Sequence, residues 1–276
     1  MSRTEQNRID RKFAELKALG ETAFIPFITI GDPNLRTSVD IIKTLEQSGA
    51  SMVELGVPYS DPLADGPVIQ RSSHRALSNH QISIIDCIET ARTARKEGCE
   101  LPFILFTYYN PVLRMGLEKV FQLLAENDIS GIIIPDLPME EDAEARSYAD
   151  RHGIHIIPLV APTSNARIQS IVSRASGFVY CVSSLGVTGA RTQFHSGIDD
   201  FIRTVRQSTD LPVAIGFGIS TNEQFMKFSK MCDGVVVGSA LVRQVEEVIP
   251  LLQSEETYRE GLLQISDFVR QLIGNR

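Results

Sequence analysis

Eight short runs rich in β-branched and aromatic residues recur along the chain, separated by segments whose apolar residues fall at helical spacing. The runs are FIPFITI (24–30), SMVELG (51–56), PFILFT (102–107), GIIIPD (131–136), IHIIPLV (154–160), FVYCVS (178–183), PVAIGF (212–217) and DGVVVG (233–238). Helical periodicity covers 35–46, 82–96, 117–126, 140–151, 198–207 and 223–230. Parallel neighbours need a long crossover, usually a helix, so repeated strand then helix predicts a parallel sheet covered by helices. A doubly wound open sheet would normally carry a G-x-G-x-x-G turn after its first strand, and here that turn reads TIGDPN. Eight units within 276 residues therefore predict class α/β and a closed (β/α)8 TIM barrel.

The ends of the chain carry extra elements. RIDRKFAELKALG predicts a helix before the first strand, with Ile9, Phe13, Leu16 and Leu19 on one face placed to plug the bottom of the barrel. The tail over 255–272 predicts an additional C-terminal helix on the outer ring. No linker or low-complexity stretch divides the chain, so 1–276 is expected to be a single barrel domain. No apolar run approaches the roughly 18 residues of a membrane span, and MSRTEQNRIDRK has no signal-peptide core, which makes the cytoplasm the expected location. A net charge of −7 argues against nucleic acid as a partner, because phosphate-backbone binding needs a basic surface. Cys87, Cys99, Cys181 and Cys232 lack C-x-x-C spacing and are expected to be plain thiols. His152 and His155 read as a helix end and turn leading into a strand, and no metal site is expected.

The second run ends in VELGVPYSDPLADGP, where an acid interrupts an otherwise apolar strand. Alternate side chains of a strand face opposite ways, so if Val53 and Leu55 face the helices, Glu54 points into the barrel. Ionised carboxylate is poorly solvated there and its pKa should rise. An internal salt bridge is the structural alternative, but no other strand run contains Lys or Arg. Asp65 follows in a loop stiffened by Pro58, Pro62 and Pro67, where turn chemistry and a second acid role are both open. Asp61 precedes Pro62 and reads as a turn residue.

The seventh and eighth runs end in GFGIST and VVGSALV. Gly216 and Gly218 permit close backbone approach, Ser220 is placed to cap the next helix through STNE, and Gly238 and Ser239 would open a short helix. Barrels commonly bind phosphate at these two loops through helix N-termini, which reconciles an acidic chain with an anionic ligand. After the sixth run, SSLGVTGARTQFHSG has the composition of a loop that closes over a ligand, with Gly189 offering an amide to the phosphate and Thr188 a hydrogen bond to Asp65. Tyr180 is equally suited to the core and to substrate contact.

ELGVPYSDPLADGP (54–67), with PFITIGDP (26–33), PDLP (135–138), LVAPTS (159–164), SLGVTG (184–189) and GFGIS (216–220), closely resembles the α subunit of tryptophan synthase. The resemblance runs over nearly the whole chain. It implies retro-aldol cleavage of indole-3-glycerol phosphate to indole and glyceraldehyde 3-phosphate, without metal or organic cofactor in this chain. It also implies that Glu54 is the general acid/base and that Asp65 accepts the indole N–H. Gly189, Gly218, Gly238 and Ser239 match its phosphate-binding backbone, Tyr180 its aromatic residue near Glu54, and Phe27 its indole pocket. It further implies a pyridoxal-phosphate β subunit as partner, in an α2β2 heterotetramer, with contacts over 58–65 and at YYNPVLRMG. Ser184 stands where some members carry a basic residue, which bears on how the closed loop is held. Rival expectations are a stand-alone lyase releasing free indole, a weakly active module that chiefly activates the β subunit, and another phosphate-binding barrel. Indole-glycerol-phosphate synthase, among the last, typically needs a lysine inside the barrel, and the strand runs offer none.

Overall fold

The computed structural model describes residues 6–79, 81–182, 197–216 and 218–274. In chain order the elements are α1 (Arg8–Leu19), β1 (Ala23–Thr29), α2 (Leu35–Gln47), β2 (Val53–Gly56), α3 (Pro67–Asn79), α4 (Ile84–Lys96), β3 (Phe103–Phe106), α5 (Tyr109–Met115), α6 (Leu117–Glu126) and β4 (Ile129–Ile133). They continue as α7 (Ala143–His152), β5 (His155–Ile156), β6 (Leu159–Val160), a 3-10 turn (Pro162–Arg167), α8 (Ile168–Val172), β7 (Val179–Val182), α9 (Ile198–Ser208), β8 (Val213–Gly216), α10 (Asn222–Ser229), β9 (Gly234–Val237), α11 (Ser239–Leu252) and α12 (Tyr258–Ile273).

The strands pair in the order β5-β4-β3-β2-β1-β9-β8-β7-β6, and every pairing is parallel. The two ends of that order are halves of the predicted fifth strand. Ile157 still donates to Ile132 O on β4 at 2.9 Å, while Pro158 O accepts from Tyr180 N on β7 at 3.1 Å. Pro158 has no N–H for a ladder, so the strand breaks where it passes from one neighbour to the other, and the sheet closes into a barrel.

Strand alternation divides the core in two. Phe24, Ile28, Val53, Leu55, Phe103 and Leu105 pack outward beneath the helices, whereas Ala23, Ile25, Phe27, Met52, Ile104 and Phe106 fill the barrel interior. The interior is plugged from below by α1. Asn7 caps this helix by accepting from Ile9 N at 2.9 Å and donates to Ser130 O and Gly153 O, both at 2.9 Å, so the cap also ties the helix to the barrel floor. Phe13 meets the Phe178 ring at 5.4 Å between centroids. Leu19 departs from the expected buried face. It is the last helical residue, 63% exposed, and the chain turns away at Gly20, whose φ of 70° ends the helix in the left-handed region. The C-terminal helix α12 lies on the outer ring, where Tyr258 Oη donates to Asp40 Oδ2 at 2.7 Å.

Two helical expectations need correction. The element opened by Gly238 and Ser239 is the fourteen-residue α11. The helix after the seventh run is capped by Thr221, which accepts from Gln224 N at 3.3 Å, one residue later than Ser220. Ser220 N instead donates to Gln224 Oε1 at 2.8 Å, because the capping box places the glutamine opposite Thr221.

Gly56 closes β2 where the Phe27 ring crosses it. A Cβ there would lie 2.4 Å from Phe27 Cζ and 3.0 Å from Ile28 O. Gly56→Ala is therefore expected to cost about 1–3 kcal/mol through overpacking, read as a lower urea midpoint at unchanged slope.

Candidate functional site

The C-terminal mouth of the barrel holds a cavity of about 380 Å³ of non-protein space, partly open to solvent. Its floor is set by register: Phe27 on β1 stands beside Glu54 on β2, and Glu54 beside Ile104 on β3. All three face inward. Phe27 and Phe106 meet edge to face at 5.4 Å, and Ile69 and Val236 complete an apolar wall.

Glu54 is 1% exposed, and its Oε1 has no hydrogen-bond partner among the described residues. Burial alone pushes its carboxyl up to about 8, so the group is held largely neutral at pH 7. The salt-bridge alternative is not realised among the described residues. Asp65, 6% exposed, lines the same cavity. Its carboxyl is pushed up to about 6 by burial, against a lowering hydrogen bond donated by Tyr108 Oη to Oδ2 at 3.1 Å. Gln70 Nε2 donates to Asp65 O at 2.7 Å, which fixes the loop immediately before α3. Asp61 is exposed and accepts from Ser60 Oγ at 2.7 Å, as a turn residue does.

Tyr180 rises from β7 into the cavity, buried, and burial followed by the nearby Glu54 pushes its phenol up. Gly216 makes room for it, since a Cβ there would fall 2.3 Å from Tyr180 Oη. Gly218, at φ 90°, reaches the cavity together with Gly238 and Ser239. The two helices expected to bind an anion differ in kind. Helix α10 caps itself through Thr221 and Gln224, whereas α11 begins at Gly238 without a side-chain cap, and Gly238 and Ser239 line the cavity. Thr188, Gly189 and Ser184 lie outside the described residues.

Behind the cavity, the loop after β1 is fastened to two helices. Asp32, buried, accepts from Ser72 Oγ at 2.5 Å and from Arg75 Nε and Nη2 at 3.0 and 2.8 Å. Arg75 Nη1 reaches on to Glu246 of α11 at 2.5 Å, and Arg71 pairs with the same carboxylate at 2.9 and 2.7 Å.

Sequence reasoning missed Phe106, Ile69, Val236 and Tyr108. Phe106 shares the period-two face of Ile104 and was there to be found. Tyr108 meets Asp65 across 43 residues, and no local pattern announces that contact. No cluster of three or more metal-ligating side chains occurs among the described residues, and all four cysteines are free and buried. His155 Nε2 instead lies 3.1 Å from Asp10 on α1.

The arrangement therefore combines two buried carboxyls of different acidity, an aromatic slot and an uncapped helix N-terminus around one cavity. In comparison with known proteins, the profile of the family described as "Tryptophan synthase alpha chain" matches residues 13–270. A tryptophan synthase alpha chain of Bacillus pumilus is 52% identical over 251 residues, covering 91% of this chain and 94% of the relative. The crystal structure of tryptophan synthase subunit alpha from Legionella pneumophila superposes with a TM-score of 0.85 at 32% identity, covering 97% of this chain and 98% of that one. A chain from a Pyrococcus furiosus structure described as the structural basis of mutual activation of the tryptophan synthase α2β2 complex superposes with a TM-score of 0.80 at 31% identity, covering 92% and 99%.

Proposed function

The chain belongs to the tryptophan synthase alpha chain family, and from that premise we propose that Glu54 and Asp65 are the residues with which it cleaves indole-3-glycerol phosphate to indole and glyceraldehyde 3-phosphate. The observation that carries the assignment is the pair of buried carboxyls, near 8 and near 6, facing one aromatic cavity. At neutral pH this pair is poised with Glu54 protonated and Asp65 ionised. Glu54 gives its proton to the ring carbon that bears the glycerol chain. The indole nitrogen becomes positively charged as the indolenine forms, and Asp65 accepts its N–H and balances the charge. Glu54, now a carboxylate, takes the proton of the hydroxyl next to the breaking carbon–carbon bond. The aldehyde forms, and the bond's electron pair returns to the ring and its nitrogen.

The phosphate is assigned to Gly218, Gly238, Ser239 and the α11 N-terminus, joined by Gly189, with Thr188 reaching Asp65 on loop closure. Phe27 and Tyr180 bracket the indole. The chain requires no organic cofactor for these proton transfers, and pyridoxal phosphate belongs to a β subunit partner in an α2β2 assembly. Leu63, 80% exposed in the loop after β2, and Leu113, 51% exposed on α5 after β3, suit that contact, because large apolar side chains at a polar mouth gain from being covered. We place the whole chain, as one barrel unit, in the cytoplasm; among the described residues no helix is long and apolar enough to cross a membrane.

The test is indole release from indole-3-glycerol phosphate with and without a β subunit. Slow release alone with strong acceleration by β is expected. Fast release alone would favour a stand-alone lyase, and no release under either condition would remove the assignment. The profile of kcat/KM against pH should be a bell, falling below about 6 as Asp65 protonates and above about 8 as Glu54 ionises.

A further inference from the structure

Asp65 needs more than burial to act. An acid at the end of a mobile turn presents its oxygens in many directions, whereas accepting one N–H and one developing charge needs a single direction. The loop around Asp65 contains Leu63, 80% exposed, and the exposed Asp61, so its outer part has little packing of its own. What restrains the carboxyl comes from another part of the chain, immediately after β3.

The Tyr108 side chain is buried, with a hydroxyl between two groups of the Asp65 loop. It accepts from Ala64 N at 3.0 Å and stands 3.1 Å from Asp65 Oδ2. A phenol has one proton, and the Ala64 amide needs an acceptor, so the proton is directed to the carboxylate. The phenyl ring is stacked on Tyr59, with centroids 4.8 Å apart and planes 25° apart. Tyr59 belongs to the same loop as Asp65. One ring thus meets the start of that loop while its hydroxyl bonds the loop's backbone and its acid.

We infer that Tyr108 is a positioning residue for the cleavage reaction, holding one oxygen of Asp65 through a hydroxyl oriented by Ala64 and braced by Tyr59, so that the other oxygen is left to the indole N–H. The inference rests on the reading of Asp65 given above. The ionisable groups facing Asp65 are Tyr108 on one side and Glu54 and Tyr180 across the cavity; Asp136 lies near Tyr108. Burial, then the charge of Asp65, pushes the Tyr108 phenol up, with Asp136 adding to it, so the hydroxyl remains a donor wherever the enzyme works. Its bond to Asp65 opposes the effect of burial and keeps the acid ionised at neutral pH.

Tyr108→Phe keeps the ring and its stack and removes the hydroxyl. In the full chain it is expected to lower kcat by about ten- to a hundredfold, the range of a hydrogen bond to a charged group, with KM changed less than about twofold. The acid limb of the pH profile should move up by about one unit, and the Asp65 carboxyl carbon, titrated by carbon-13 NMR, should move with it. A merely structural tyrosine would leave that midpoint in place, so an unmoved midpoint and limb, whatever the rate, overturns the inference. Should Tyr108→Phe fail to fold, Tyr59→Ala serves in its stead: it is expected to move the midpoint the same way by a smaller amount, and Tyr59→Phe to restore it. An unmoved midpoint in Tyr59→Ala overturns the inference equally. A wild-type chain that releases no indole removes the assignment of Asp65 instead, which the NMR titration separates from the Tyr108 contact itself.

Discussion

Glu54→Gln should abolish most of the cleavage and yet give a more stable protein. The rate of indole release is expected to fall by about 10²–10⁴-fold, since the amide has neither a proton to give to the ring carbon nor a basic oxygen for the glycerol hydroxyl. Stability moves the other way because of what burial does to the acid. In the folded chain the carboxyl titrates near 8 instead of its ordinary 4.5, so the unfolded chain releases the proton first. Folded wild type therefore loses stability as pH rises from about 4.5 to about 8, and the loss is complete above that window. Glutamine does not ionise. The variant should match wild type near pH 4 and exceed it at pH 8, by an amount on the order of a few kcal/mol. Urea unfolding at both pH values checks this, with indole release measured on the same samples. Identical pH dependence of stability in the two proteins would mean that Glu54 is already solvated or paired, and the assignment of a neutral acid at pH 7 would fail with it.

Asp65→Asn is expected to cut kcat by about 10²-fold or more with little change in KM. The amide oxygen can still accept from Tyr108, so the side chain should keep its place. Its N–H₂ then faces the indole N–H, donor against donor, where the reaction needs an acceptor and a negative charge. An unpaired polar group in a buried site is costly, and the cost rises as positive charge develops on the ring. In the proposed assignment the phosphate binds at α11 and the loop after β8, so ground-state affinity is expected to be largely preserved. Steady-state kinetics with indole-3-glycerol phosphate separates the two quantities. A variant with wild-type kcat and a raised KM would place Asp65 in binding alone.

The barrel was legible because its signal is local and repeated. Each strand run announced itself, and period-two alternation set Glu54 opposite Val53 and Leu55, whose packing beneath the helices turns the acid inward. The same reasoning stopped at places governed by pairing across the fold. Pro158 was visible as a proline, but only the neighbours β4 and β7 reveal why the strand divides there. Ser220 and Thr221 are both competent caps, and the position of Gln224 decides between them. Leu19 has the spacing of a buried residue, yet the helix ends before its face reaches the barrel. Asp65 stood out through its loop, while its partner Tyr108 could not, since nothing in TYYNP points to an acid 43 positions earlier. Gly218, Gly238, Ser239, Phe27 and Tyr180 were named through the family motifs, and the structure gathers all five around one cavity, where they are proposed to meet indole and phosphate.

The clasp of Asp32, Arg75 and Glu246 has a consequence for which molecules fit. Asp65 lies two residues before α3, and the proposed phosphate amides open α11. Arg71, Ser72 and Arg75 of α3 are bonded, through Asp32 and Glu246, to the loop after β1 and to α11. The proposed acid and the proposed anion seat are therefore mounted on one hydrogen-bonded frame, and the span between them is expected to work as a calliper. A ligand whose chain is one carbon shorter or longer between ring and phosphate must give up one jaw to satisfy the other. On the proposed assignment, length would be set by an ion-paired clasp at a distance from the bond that breaks.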